Sequence, residues 1–405
     1  MKPWNTPRML PRMLTAHRTP VFAAALCASM AGMAFPAGAG TEPQCAAGQV
    51  STADGCLAPE AAADGIRAIV RQAIEDHSLP AAIVAVSIGD TEILTEAWGE
   101  SMTGIPATTD MHFRNGGIAI PYLTTVLLKL QEDGALSIDD PLSKWFPDYP
   151  KADQVTLRML ANCTAGYADY VPVLGVYDDV FRQWTPQELI DVGLSKPMAC
   201  EPGTCFNYAH TNFVILGEVL TQVTGKPVAE LIKERILGPL GLNDTRSEET
   251  AVIQEPVLHA FTGERDVYED STYWNPSWTL ARGAVMTTNI PDALKTAVAI
   301  GEGSLLSAES QEQFLAPLTV GMKPMREELY YGLGVAVANS WIMQTPSFAG
   351  YAAVIGYLPS RRIALAVTST MSPDSPERVP TILANGIGAW LAPDQPPGLP
   401  VGSPK

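Results

Sequence analysis

Tyr208-Ala209-His210 sets a phenol and an imidazole two residues apart, which are the parts of a proton-transfer pair. Histidine titrates near neutrality, and a positioned side chain that gives or takes a proton is the core of acid–base catalysis. On an extended segment both rings share a face; around a helical turn they do not, and then they only line or fill a cleft. A second candidate is Cys163, in Asn162-Cys163-Thr164-Ala165-Gly166. As a thiolate beside a base such as His210 it would be a nucleophile, but the stronger expectation is an inert buried thiol. Four histidines follow residue 39, His77, His112, His210 and His259, scattered and without HEXXH or CxxC spacing, so no metal and no cofactor is expected. No Gly-x-Ser-x-Gly elbow occurs, and no lysine has Ser or Thr three residues before it.

The elements that must carry these groups can be read from periodicity. Ala61 to Glu75 repeats apolar residues at helical spacing. Ala81 to Ile88 and Thr91 to Gly99 read as strands joined at Gly89-Asp90, a hairpin signal. Leu123 to Leu130 is nearly all apolar, follows Pro121 and stops at Gly134, as expected of a helix buried on every side. Shorter helices are expected at Phe213–Thr224 and Val228–Ile236, strands at Leu333–Val337, Ala352–Leu358 and Ile363–Thr368, and a last helix at Val379–Leu391. Strands at both ends around a helical middle imply one sheet assembled from distant segments.

The first 39 residues read as an address. Lys2, Arg8, Arg12 and Arg18 precede the apolar run Val21 to Phe35, and Ala37-Gly38-Ala39 supplies small residues for cleavage near Ala39. The run falls short of the roughly 20 apolar residues of a membrane span, so the mature chain is expected to have none and to be exported: secreted, periplasmic or at the cell surface. Cleavage takes the net charge from −17 to −21, which excludes a nucleic-acid partner, since phosphate contacts need a basic face. Export makes disulfides Cys45–Cys56 and Cys200–Cys205 expected, the latter across the Pro202-Gly203 turn. The organisation that follows is a leader at 1–39, an extension at 40–60, an α/β domain at 61–150 and 281–393, a helical insertion at 151–280 and a disordered Pro/Gly-rich tail at 394–405.

Several segments then line up in order: Phe113-Arg114-Asn115-Gly116, Gly134-Ala-Leu-Ser-Ile-Asp-Asp-Pro141, Val155-Thr-Leu-Arg-Met-Leu160, Glu201-Pro-Gly203, Phe206-Asn-Tyr-Ala209, Ile236-Leu-Gly-Pro-Leu-Gly-Leu242, Gly303-Ser-Leu-Leu-Ser307 and Tyr331-Gly-Leu-Gly334. Over residues 65–393 the chain resembles the serine β-lactamase-related hydrolases, which include class C β-lactamases, D-alanyl-D-alanine carboxypeptidases (penicillin-binding-protein-like) and esterases. The resemblance implies an α/β fold of β-lactamase/transpeptidase type: an antiparallel sheet flanked by helices, with an inserted helical domain.

It also implies where chemistry should be. Such enzymes acylate the serine of Ser-x-x-Lys at the start of the buried helix, the lysine taking the hydroxyl proton. In this chain Gly117 falls at the serine and Ile120 at the lysine. The second family motif, Tyr-x-Asn, reads Tyr208-Ala209-His210, and the third, Lys/His-Thr/Ser-Gly, falls at Gln344-Thr345-Pro346, leaving Ser347 to offer a backbone N–H. Losing the serine costs a template hydrolase on the order of 10⁶ in rate, about 8 kcal/mol, which a new hydrogen bond of roughly 1–3 kcal/mol does not restore. The expectation is a catalytically inactive relative whose old cleft binds a cell-wall peptide, a small molecule or a protein partner. Gly117, Tyr208, His210, Gln344 and Ser347 would line that cleft, with the helix-start amides facing a carboxylate or carbonyl oxygen. The alternative is an active hydrolase of amide or ester bonds using another nucleophile or a non-covalent acid–base route through Tyr208 and His210.

Overall fold

The computed structural model describes residues 45–247, 249–373, 375 and 378–401; the expected leader lies outside them. Helix α1 (Pro59–His77) leads into β1 (Ala81–Ile88) and β2 (Thr91–Met102), which turn at Gly89 (φ +56°). A short β3 (Ile105–Pro106) follows, and then α2 (Ala119–Glu132), α3 (His210–Thr224) and α4 (Ile290–Glu302). The chain returns through β4 (Leu329–Tyr331), β5 (Ala336–Ala338), β6 (Trp341–Gln344), β7 (Ser347–Phe348), β8 (Tyr351–Leu358), β9 (Ile363–Thr370) and α5 (Val379–Leu391).

These strands make one antiparallel sheet in the order β4-β5-β6-β8-β9-β1-β2-β3, with β7 also paired to β8. β9 joins the two ends of the chain: Val367 lies opposite Val84 on β1 and Val354 on β8. Alternation along the strands feeds two apolar layers. Ala82, Val84, Val86, Val354, Leu365 and Val367 face α1 and α5. Ala81, Ile83, Ala85, Ala353, Ile355 and Ala366 face α2, α4 and the helical stretch, in one cluster that runs on through Leu160, Phe213 and Leu216. α2 is buried from Ala119 to Leu128, so its N-terminus is held rigidly against the sheet. Ahead of α1, Val50–Thr52 and Gly55–Leu57 form a hairpin, bonded to α5 through the Ala53 amide and the Trp390 carbonyl (2.8 Å), and Cys45 and Cys56 lie at disulfide distance.

Three boundaries differ from expectation for local reasons. α2 begins at Ala119 rather than after Pro121, because proline needs no amide acceptor in a first turn. Of the expected Leu333–Val337 strand only Ala336 and Val337 lie in a strand, β5; the rest forms the turn Gly332–Val335 that separates it from β4, where Gly334 adopts φ +83°. The expected Val228–Ile236 helix loosens into a wide π turn over Lys233–Leu237.

Of the tail expected to be disordered, residues 394–401 are anchored to the fold at several points, and 402–405 lie outside the described residues. Trp341 Nε1 donates to the Gln395 carbonyl (2.7 Å), Asn339 Nδ2 to Pro396 O (2.9 Å), and Asn385 bonds both the amide and carbonyl of Leu399, each at 3.0 Å. A proline-rich segment lacks the amides for a sheet, but its carbonyls still find donors, and Leu399, 7% exposed, joins the apolar layer of α1 and α5.

Candidate functional site

The approach to α2 fixes Gly117. Phe113–Arg114 pairs with Met286–Thr288, and Asn115 exchanges bonds with Met286, its amide donating to Met286 O (2.9 Å) and its Oδ1 accepting from Met286 N (2.8 Å). A tight turn over Gly116–Ile118 then opens the helix. Gly116 takes φ +48°, and a Cβ there would come within 2.8 Å of Pro346 Cβ, so only glycine fits. Gly117 is different. A Cβ on it would sit at ordinary contact distances, 3.5 Å from Gln344 Oε1, 3.6 Å from Pro346 Cβ and 3.8 Å from Ile120 Cδ1. Room for a side chain exists, and no reactive group fills it. The amides of Gly116 and Gly117 donate to no other described residue, and Gly117 is partly exposed between buried neighbours.

One wall is the end of β6. Gln344 Nε2 donates to Gly334 O (2.6 Å) and lies 3.4 Å from the Tyr331 hydroxyl, while Oε1 accepts from Thr345 N (3.2 Å) and faces Gly117. Its amide is thereby committed inside the protein. Ile120 is fully buried. Ser347 is exposed on β7 and lines a small cavity of about 90 Å³ with Thr345, Arg378 and Thr381.

The opposite wall carries the aromatic pair. Tyr208 and His210 lie edge to face, 5.3 Å between ring centres, and Tyr208 also meets Tyr331 at 6.3 Å. Ala209 between them is extended (φ −143°, ψ 127°), which is why the two rings meet although His210 is already the first residue of α3. His210 Nδ1 is held by both Asp169 oxygens (3.1 and 3.2 Å), and Asp169 Oδ1 also accepts the His210 amide (3.1 Å). The ring therefore presents Nε2 away from its anchor, and no described residue bonds that nitrogen. Burial works against the Asp169 charge, but the His210 ring together with the Val171 and His210 amides outweighs it and holds the carboxyl below its usual range. Desolvation, with Cys163 and Asp169 adding to it, raises the Tyr208 phenol; the residue is 39% exposed, so solvent moderates the shift.

Cys163 lies behind this wall, fully buried, with burial pushing its thiol up to about 12. A protonated, inaccessible thiol does not attack. Cys200 and Cys205 are at disulfide distance and close the loop that leads to Phe206 and Tyr208. Completing the circuit, the Tyr170 ring stands 6.0 Å from His210 and its hydroxyl donates to Trp278 O (2.8 Å), while the Trp278 ring stacks on Phe348 beside Gly116.

Gly117 meets Ile120 and Gln344, and Gln344 connects through Tyr331 to Tyr208 and His210, while Ser347 lies apart on β7. Asp169 escapes a sequence reading, since 41 residues separate it from His210 in a segment without periodicity, and the motif Tyr331-Gly-Leu-Gly334 does not disclose the contact of Tyr331 with Tyr208. Trp278 falls at the end of the aromatic stretch Tyr268 to Trp278, whose composition is the only signal for it. No group of metal-ligating side chains occurs among the described residues, and none of their helices is long and apolar enough to cross a membrane.

The comparisons agree with this architecture. The family model described as Beta-lactamase matches residues 66–386, and the chain belongs to that family. It is 29% identical over 196 residues to penicillin-binding protein 4 of Amycolatopsis lactamdurans, covering 47% of this chain and 50% of that protein. It is 25% identical over 282 residues to penicillin-binding protein 4* of Bacillus subtilis (strain 168), covering 66% and 61%. The matches span half to three fifths of those relatives. Among solved structures, a D-stereospecific amidohydrolase from Streptomyces sp. superposes with a TM-score of 0.70 at 24% identity, covering 82% of this chain and 99% of that one.

Proposed function

We propose that this protein is an exported, non-acylating member of the β-lactamase family that binds a ligand, such as a cell-wall peptide, in the former acyl-transfer cleft. The observation that carries the reading is Gly117 itself: a hydrogen stands where the resemblance puts the attacking serine, with Ile120 and an internally bonded Gln344 as its neighbours. Neither neighbour can take a proton. The buried Cys163 offers no substitute nucleophile. The free amides of Gly116 and Gly117 favour retention of an oxygen-bearing group at the helix start. The basic leader and the two cysteine pairs support export.

The test is intact-mass spectrometry after incubation with fluorescent penicillin and with a fluorophosphonate. The expected result is an unchanged mass with both. A stable adduct of either reagent would overturn the reading.

A second reading is favoured by the Asp169–His210 bond, which holds an imidazole with one nitrogen free and so permits direct activation of water on esters. His210-dependent turnover of a p-nitrophenyl ester, without adduct or burst, would select it.

A further inference from the structure

We propose that the cavity between β7 and the start of α5 is a second binding site, and that it takes a tetrahedral oxyanion, inorganic phosphate or the phosphoryl group of an ester. The site stands apart from Gly117, and the inference does not rest on the non-acylating reading.

Backbone alternation separates the two places. Along residues 345–347, Thr345 and Ser347 are exposed, whereas Pro346 between them is buried and turned to Gly116 and Gly117. Ser347 pairs with Ala352 of β8, and both line the cavity of about 90 Å³. Ala352 lies opposite Ser369 of β9, two residues along from the pair Val354–Val367, and so on the sheet face that α1 and α5 cover. Ile118 and Ala119, which follow Gly117 into α2, pack on the other face.

The cavity gathers donors. Arg378, the residue ahead of α5, lines it, and no acidic side chain among the described residues pairs with that guanidinium. No carboxylate is among the described residues that line the cavity. Thr381 lines it too, only 5% exposed, and its hydroxyl bonds to no described residue. The Ser369 hydroxyl beside Ala352, on a residue 1% exposed, also lacks a partner. Buried hydroxyls ordinarily find one, so two without, next to an unpaired guanidinium, mark a place where a ligand supplies the missing bonds. The start of the 13-residue α5 adds the positive end of its dipole.

The donor set selects the ligand. A planar carboxylate is satisfied by one guanidinium fork, whereas a tetrahedral oxyanion accepts from several directions at once. Here the hydroxyls of Thr345, Ser347 and Thr381 share the wall with the guanidinium, and each can donate. The volume is well above the roughly 10–15 Å³ that holds one water. A net charge of −17 gives the chain no general attraction for anions, so binding at this place reports the donors built there.

Isothermal titration of the protein at pH 8 and constant ionic strength tests this with sodium phosphate, glycerol 3-phosphate and acetate. One of the two phosphates is expected to bind with a Kd below about 1 mM, at least about tenfold more tightly than acetate. The tighter of them tells free ion from ester, and both outcomes support the site. Arg378→Gln should weaken binding at least about tenfold and Thr381→Val at least about threefold, with melting curves and circular dichroism showing that each variant is folded. Arg71→Gln, at an exposed arginine of α1, is the control for charge alone and should leave the affinity unchanged. Acetate binding as tightly as phosphate, no binding of either phosphate up to 10 mM, full affinity in folded Arg378→Gln, or an equal loss in Arg71→Gln overturns the proposal. Should Arg378→Gln not fold, full affinity in Thr381→Val overturns it.

Discussion

At Gly117 the surrounding distances would admit a serine, so what is missing is the atom and not the space. Asp169, bonded to His210, is a carboxylate whose charge is stabilised by the His210 ring and two backbone amides. Because its folded pKa lies below the unfolded value of about 3.9, its contribution to stability is complete above that value and is lost as pH falls through the folded pKa. Asp169→Asn should therefore lower the urea unfolding free energy at pH 7 by about 1–2 kcal/mol, with the gap to wild type closing below about pH 3. Titrating both proteins from pH 2 to 7 checks this, and parallel curves would refute it. Positions 117, 120, 208, 210 and 344 can be assigned from the resemblance because each sits at a fixed offset within a motif. The pairing of Asp169 with His210 and the contact of Tyr331 with Tyr208 cannot, because they arise only when segments distant in sequence meet.

The wall that carries Tyr208 is made of two loops laced together. Ala199, Gly203 and Asn207 donate their amides to the carbonyls of Gly166, Thr164 and Cys163, each at 2.8 Å, and the Cys200–Cys205 bridge closes the outer loop. A bridge between residues five apart is worth about 2 kcal/mol in the chain-entropy model. The double variant Cys200→Ser/Cys205→Ser should lose that amount in urea unfolding. Hydrogen exchange should rise over residues 199–208 and stay unchanged in β8 and β9. Elements with strong period, such as β1, β8, β9 and α5, could be read nearly to the residue. Where glycine or a register change intervened, as between β4 and β5, the apolar run misled, since composition alone does not tell a strand from a buried turn.

Taken whole, one face of the sheet lies under α1 and α5, helices from opposite ends of the chain, and the C-terminal segment belongs to that closure. Composition suggested a loose tail; the donors that hold it, Asn339, Trp341 and Asn385, sit elsewhere in sequence and could not be foreseen from it. Truncation after Ala392 should cost at least about 2 kcal/mol, combining the burial of Leu399 with lost bonds to its neighbours. A melting temperature equal to that of the full chain would contradict this. The sheet order carries a last consequence for biosynthesis. β1 leaves the ribosome about 290 residues before the strand that flanks it, since Ala82 waits for Ser369. At ordinary translation rates that interval lasts roughly a quarter of a minute to a minute. Throughout it the nascent polypeptide has an unfinished apolar edge and stays threadable, a state that chaperones can hold and a translocation channel can accept.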